Sequence, residues 1–369
     1  MRHRSRRPKP WPAALLILAA AAVVVLVARL IAGGTARQVD AMLLPQHGAQ
    51  ATAAPVETGA PHGDGLPTPI VLGYYEGGAD GAGYEDLRAD AHLLSGIVPD
   101  WYTIWADGSI TGQPDERVLD YARSHNLWVF ALVQQNQLGG QVLGPLLESP
   151  VASRRAMEGM LALCEEEGYD GVNLDFEGVP PGDRAAYTSF VGQLSALLHR
   201  YGYYVTLSVP AETADEPGNS WTGAYDYKAL GRAADLVMIM AYDQHYAGGT
   251  PGPIAASSWV QQVASFAAQT IPPARVVLGI PLYGYDWGSG TAAGLSYAAF
   301  RQLALEHGQS PSAQDLVYWQ DGVEHVAYYE GLQGFEGQVE VASGYALRGI
   351  VLWRLGLEDP SIWSYLSGP

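Results

Sequence analysis

From about position 67 onward, short apolar runs of strand length alternate with stretches whose apolar residues recur at helical spacing. The strand-like runs are 70–75, 101–105, 127–133, 171–176, 204–209, 236–240, 276–280 and 349–353. Helical patterns fall between most of them, at 115–125, 151–167, 183–200, 227–233 and 258–270. Near-continuous apolar strands separated by helices predict a parallel sheet with both faces covered. Eight such strands in one domain fit an α/β (β/α)8 TIM barrel, with a doubly wound open sheet as the alternative. The interval 283–348 breaks the rhythm, with a helix near 297–307 and strand-like pieces at 315–319 and 325–329. It reads as a small α+β insertion between the seventh and eighth strands.

The first 66 residues follow neither pattern. Residues 2–9 are basic, and 11–28 is an unbroken apolar run of 18 residues ended by Arg29. That is about the minimum for a membrane-spanning helix, and the basic flank orients it with the remainder outside the cytoplasm. The segment 1–32 is therefore expected to be a transmembrane anchor, placing the rest at the cell membrane as an extracytoplasmic domain. A cleaved signal peptide and secretion is the alternative. Residues 33–66, rich in Gly, Ala, Pro and Thr without periodicity, read as a flexible stalk leading to the folded domain at 67–369.

Charge narrows the partners. Of 20 Lys and Arg, seven lie before position 38 with no acid among them, leaving 13 bases against all 38 acids. A domain of about that balance, −25, is a poor match for phosphate backbones, so nucleic acid is not expected as a partner. A neutral polysaccharide is. The single cysteine, Cys164, sits in a helical pattern and no Cys/His metal cluster is visible, so no metal or other cofactor is expected.

The candidate chemistry concentrates in one strand. Residues 168–178 read Gly-Tyr-Asp-Gly-Val-Asn-Leu-Asp-Phe-Glu-Gly. Strand alternation puts Val172, Leu174 and Phe176 on one face and Asn173, Asp175 and Glu177 on the other. Acidic residues are poor strand formers, so this row points to a site rather than a surface. In a barrel, chemistry gathers at the C-terminal ends of the strands. Glu177 ends the fourth strand, Tyr242 and Asp243 follow the sixth, Tyr283 the seventh, and Trp353 ends the eighth. Tyr74 is near the end of the first. Aromatic rings and carboxylates at these ends suit a sugar, with ring faces stacked and hydroxyls hydrogen-bonded. Trp221 and Trp287 are candidate extensions of that platform, and His245 and His325 are weaker candidates for the cleft. Asp170 is expected to brace the strand, and Glu165, Glu166 and Glu167 to be a solvated helix end.

With these residues in place, the chain resembles glycoside hydrolase family 18, of the chitinase-like type. The family's fourth-strand signature, Asp-x-x-Asp-x-Asp-x-Glu, corresponds to Asp170-Gly-Val-Asn173-Leu-Asp175-Phe-Glu177. Gly73-Tyr74-Tyr75, Met240-Ala-Tyr242-Asp243, Gly279-Ile-Pro-Leu-Tyr283-Gly and Gly349-Ile-Val-Leu-Trp353 match at further strands. Asn173, Tyr283-Gly-Tyr-Asp-Trp287 and the stretch from Trp353 to Pro360 are similar to bacterial N-acetylglucosaminidases of spore germination and peptidoglycan turnover. The resemblance implies hydrolysis of N-acetylglucosamine glycan with retention, the substrate's own acetamido oxygen acting as nucleophile. In that scheme Glu177 is the general acid and base, Asp175 orients the acetamido N–H, and Tyr242 binds the acetamido oxygen. Asp243 stands beside Tyr242, Trp353 is the floor, and Met240, Tyr283 and Tyr74 are substrate-binding walls. Asn173, where the family has Asp, is expected to hold Asp175 by a hydrogen bond. A chitinase acting on chito-oligosaccharides and a catalytically silent glycan-binding protein are the competing readings.

Overall fold

The computed structural model describes residues 65–77, 82–135, 139–310 and 313–368. The predicted anchor at 1–32 and the stalk up to residue 64 lie outside the described residues. Among the described residues no helix is long and apolar enough to cross a membrane. The first described residues meet the barrel, where the Arg348 guanidinium donates to the carbonyls of Leu66 and Pro67.

In chain order the strands are β1 (Ile70–Tyr75), β2 (Gly96–Ile104), β3 (Ile110–Gly112), β4 (Trp128–Gln135), β5 (Gly171–Asp175), β6 (Tyr204–Pro210), β7 (Leu236–Met240) and β8 (Val276–Pro281). They are followed by β9 (Gly284–Trp287), β10 (Ala293–Leu295), β11 (Asp315–Gln320), β12 (Val323–Tyr329) and β13 (Gly349–Trp353). Strands β1, β2, β4, β5, β6, β7, β8 and β13 pair in parallel in that order, and β13 returns to β1 to close an eight-stranded barrel. Short β3 adds to β2 as an antiparallel edge.

The closure follows from side chains that are apolar on both faces along most of the strands. Ile70, Leu72 and Tyr74 of β1, with Trp128, Phe130 and Leu132 of β4, point into the barrel and form one cluster. Val129, Ala131 and Val133 alternate with them and pack outward under the helices, as do Val172, Leu174 and Phe176 of β5. Helices Glu116–Ser124 and Tyr227–Ala233 begin at aspartate caps, Asp115 and Asp226, whose carboxylates accept from Arg117 N and Ala229 N at 3.0 Å. Such caps satisfy amides that a helix start leaves unpaired.

Three features depart from the sequence pattern. Strand β2 begins at Gly96, ahead of the expected 101, and its register against β4 shifts between Asp100 and Tyr102. Helix Gly139–Glu148 carries two N-terminal glycines and an internal Pro145, residues that read as breakers. The interval 283–348 divides in two. Strands β9 to β12 form an antiparallel sheet in the order β10-β9-β12-β11, packed on helix Tyr297–Glu306 through Phe300, Leu316, Tyr318, Ala327 and Tyr329. Helix Leu332–Gly344 instead lies against the barrel strands β8 and β13 and the helix Ser257–Thr270.

Candidate active site

Strand β5 is packed too tightly to shift. A Cβ on Gly171 would sit 2.2 Å from the Tyr204 carbonyl oxygen, so only glycine lets β5 and β6 approach. Asn173 and Asp175 point into the barrel, and the chain turns at Gly178, whose φ of 66° suits glycine. Glu177 sits between. Its backbone N–H donates to Gln135 Oε1 at 3.1 Å, and the preceding Phe176 carbonyl accepts from the Tyr225 hydroxyl at 2.6 Å. The acid is thus held by its backbone on both sides while its side chain reaches into open space.

That space is a cavity of about 440 Å³ at the C-terminal ends of the barrel strands. Tyr74, Asp175, Glu177, Met240, Tyr242, Asp243, Tyr283 and Trp353 all line it. Trp353 forms one side, with Tyr74 edge-on to it at 5.0 Å between ring centroids and Tyr242 nearly parallel at 6.3 Å. Two polar atoms at this wall are closed to solvent and have no hydrogen-bond partner in the protein: the Tyr242 hydroxyl and Asp175 Oδ1. An unpartnered buried polar group costs about 1–3 kcal/mol, a cost that a ligand can relieve.

Four carboxylates stand close enough to influence one another. Burial pushes Asp175 well above the usual carboxylate range, and the charges of Glu177 and Asp100 push it the same way. Glu177 is raised by burial and by Asp243. Asp243 is raised by burial, against hydrogen bonds from the Tyr283 and Tyr285 hydroxyls that lower it. Its φ of 57° is unusual for a non-glycine residue, and the two tyrosine contacts hold it there. Tyr242 is driven well above 10 by burial, so its hydroxyl is a donor at every working pH. Raised acids beside a fixed phenol are suited to proton transfer near neutral pH.

Asn173 faces into the barrel beside Asp175, as strand alternation predicts, but Asp175 is not its partner. It is fully buried beneath the cavity, donates from Nδ2 to Thr206 Oγ1 at 3.0 Å and accepts at Oδ1 from Ser208 Oγ at 2.9 Å. Ser208 is in turn bonded to the Tyr74 hydroxyl at 2.6 Å. Asn173 therefore anchors Tyr74 rather than Asp175, because the serine and threonine of β6 lie nearer than its neighbour on β5. Asp170 braces the strand as expected, accepting from Val129 N at 2.8 Å. His325 pairs with Asp286 within the small sheet, and His245 bonds the Thr250 carbonyl in its own loop. Trp287 is buried with Ile254 and Tyr283 instead of extending a sugar platform. Trp221 is 51% exposed and lies beside Gly178.

The cavity also has walls that were not singled out as site residues, although Tyr285, Arg354 and Leu357 lie within the quoted motifs. Tyr285 and the segment 294–296 come from the small sheet, and Arg354 and Leu357 from the turn after β13. Arg354 is paired with Glu76 at 2.6 Å. Only its position directly after Trp353 signalled it. Among the described residues no cluster of His, Cys, Asp and Glu could hold a metal ion.

Comparison with known proteins agrees with this arrangement. The family described as glycosyl hydrolases family 18 matches residues 135–358. The chain is 28% identical over 309 residues to an uncharacterized glycosylase, YvbX, of Bacillus subtilis (strain 168), covering 80% of this chain and 89% of that one. It is 27% identical over 277 residues to the cortical fragment-lytic enzyme of the same organism, covering 71% of this chain but only 64% of the relative. The crystal structure of a chitinase from Chromobacterium violaceum ATCC 12472 superposes with a TM-score of 0.73 at 26% identity, covering 81% of this chain and 98% of that one.

Proposed function

Given that this chain belongs to the glycosyl hydrolases of family 18, we propose that it cleaves β-glycosidic bonds of N-acetylglucosamine in bacterial wall glycan, with retention and substrate assistance. The observation that carries this reading is the unpartnered pair at the cavity wall. An acetamido group offers one acceptor and one donor. The Tyr242 hydroxyl supplies the donor for its oxygen, and Asp175 Oδ1 the acceptor for its N–H.

In this reading the sugar at the cleavage point lies on Trp353. Glu177, whose proton burial and then Asp243 make harder to lose, donates it to the glycosidic oxygen as that bond breaks. The acetamido oxygen attacks the anomeric carbon from the other side, forming an oxazolinium-like ring. Asp175 stabilises the positive charge that spreads onto the acetamido nitrogen. Glu177, now a carboxylate, takes a proton from water as the water opens the ring, which restores the starting configuration.

Peptidoglycan or spore cortex is the preferred glycan, a choice supported by the relative named for lysis of cortical fragments. The likeness to a chitinase supports chito-oligosaccharides as the second reading. Export through the segment 1–32, retained as an anchor, places the domain where wall glycan is found. The test is turnover of a chromogenic chitobioside, purified peptidoglycan, spore cortex and chitin by residues 65–369, beside the Glu177→Gln variant. A loss of at least ~10³-fold in kcat with ligand binding retained is expected. Sugar binding by both proteins without turnover by either refutes the hydrolase reading. An active enzyme that a thiazoline mimic of the bicyclic intermediate does not inhibit refutes substrate assistance.

A further inference from the structure

Three neighbouring strands place a polar group on the barrel's inner face at the level of the cavity. Val98 of β2 and Leu132 of β4 belong to the interior cluster, so Asp100 and Gln134, two residues further along each strand, face inward as well. Gln134 is the register partner of Asp175 across β4 and β5. Its amide is the protein donor nearest in register to Asp175, yet it turns the other way. Nε2 donates to both oxygens of Asp100, each at 2.8 Å. The adjacent donor is occupied, and Asp175 Oδ1 has none.

We propose that Asp100 is a positioning residue for Asp175: by holding the Gln134 amide and presenting its own charge, it keeps Asp175 free of a protein donor and ready for one from the substrate. The part concerning the substrate rests on the proposed function; the part concerning Asp100, Gln134 and Asp175 does not. Other ionisable groups facing Asp175 are Glu177 on its own strand, Tyr74 from β1, Tyr187 and Tyr225 from the following helix and loop, and Tyr242 after β7. The tyrosines are all raised above 10, so they stay neutral, and Asp100 is the acid contributed by a different strand. Burial raises Asp100 above the usual carboxylate range and Glu76 adds to this, while the Gln134 hydrogen bonds and Arg354 act to lower it.

Two substitutions separate the two effects. Asp100→Asn removes the charge but leaves an acceptor for Gln134. Asp100→Val removes both, freeing the amide to turn to Asp175. Either change makes Asp175 easier to ionise. The acid limb of kcat/KM on a chitobioside should move to lower pH by about half a unit to one unit in the Asn variant. It should move further in the Val variant, where a raised KM for the N-acetylated substrate accompanies it because Gln134 now competes for Asp175. The Asp175 carboxyl, followed by carbon-13 NMR and assigned by its loss in Asp175→Asn, should shift its titration midpoint in the same order without reference to activity. Midpoints that coincide in wild type and both variants overturn the proposal. A midpoint that moves in a protein that hydrolyses none of the glycans supports it, while the functional reading fails.

Discussion

Replacing Tyr242 with Phe should push stability and activity in opposite directions. The hydroxyl is buried, has no protein partner and stays protonated, so the free protein carries its desolvation cost without return. Removing it relieves a penalty of about 1–3 kcal/mol, offset by a small loss of packing where the oxygen was. A net gain of about 1 kcal/mol corresponds to a Tm about 2–4 °C higher for a domain of this size. The ring stays, with its near-parallel contact to Trp353 at 6.3 Å, so the cavity keeps its shape. Activity should suffer because a fixed donor to a polarised oxygen contributes about 10²–10³ in kcat where it has been removed elsewhere. Thermal unfolding beside steady-state kinetics on a chitobioside checks both halves. A variant with lower Tm and unchanged kcat would mean that the hydroxyl has a structural partner and no substrate, and the assignment of the acetamido pocket would fall with it.

Two further outcomes follow from buried polar groups elsewhere in the barrel. Asn173→Asp places a carboxyl between Thr206 and Ser208 with no cation at hand. Its folded pKa must rise, so the variant should lose stability as pH climbs from about 4 toward neutrality, reaching ~1–3 kcal/mol by urea denaturation. The same stability at pH 4 and pH 7.5 would contradict the packing described for Asn173. Glu212 is buried, with Oε2 unpartnered, and is raised to about 8 by burial and by Asp215, against the lowering effect of Arg184. Its contribution is fully present below its unfolded value and is lost as pH rises toward 8, so, discounting the full shift for solvent screening, Glu212→Gln should be more stable than wild type by about 2–3 kcal/mol near pH 8, with no difference below pH 4. Parallel stability curves for the two proteins across that range would refute it.

The barrel was legible because most of its strands are apolar on both faces, and such runs stand out without any knowledge of their partners. Strand β2 was read short because Pro99 and Asp100 interrupt its apolar character. Both lie in register with neighbouring strands, Pro99 with Tyr75 and Asp100 with Leu132, which is information about pairing rather than composition. The helix at Gly139–Glu148 was hidden by residues whose local preference opposes it, and burial of Val142, Leu143 and Leu146 overrides them. Site residues carried by strand ends were readable because their side chains break an apolar run. Asn173 was misplaced for a related reason: alternation says which face it occupies, not which neighbour across the sheet it meets. The Gln134 amide and the wall at 294–296 left no mark at all, since ordinary residues become part of a site only by being folded against it.

The small sheet has its own core of Phe300, Leu316, Tyr318, Ala327 and Tyr329, while the acids belong to the barrel. Its hydrogen bonds to the barrel's last turn end on a backbone carbonyl, with Tyr297 N and the Tyr329 hydroxyl both donating to Leu357 O. Neither bond involves a residue of β10. Mutation can therefore rework the surface that β10 offers a ligand while the proton-transfer apparatus stays untouched, and selectivity can diversify in one stretch of the gene without putting the reaction at risk in another.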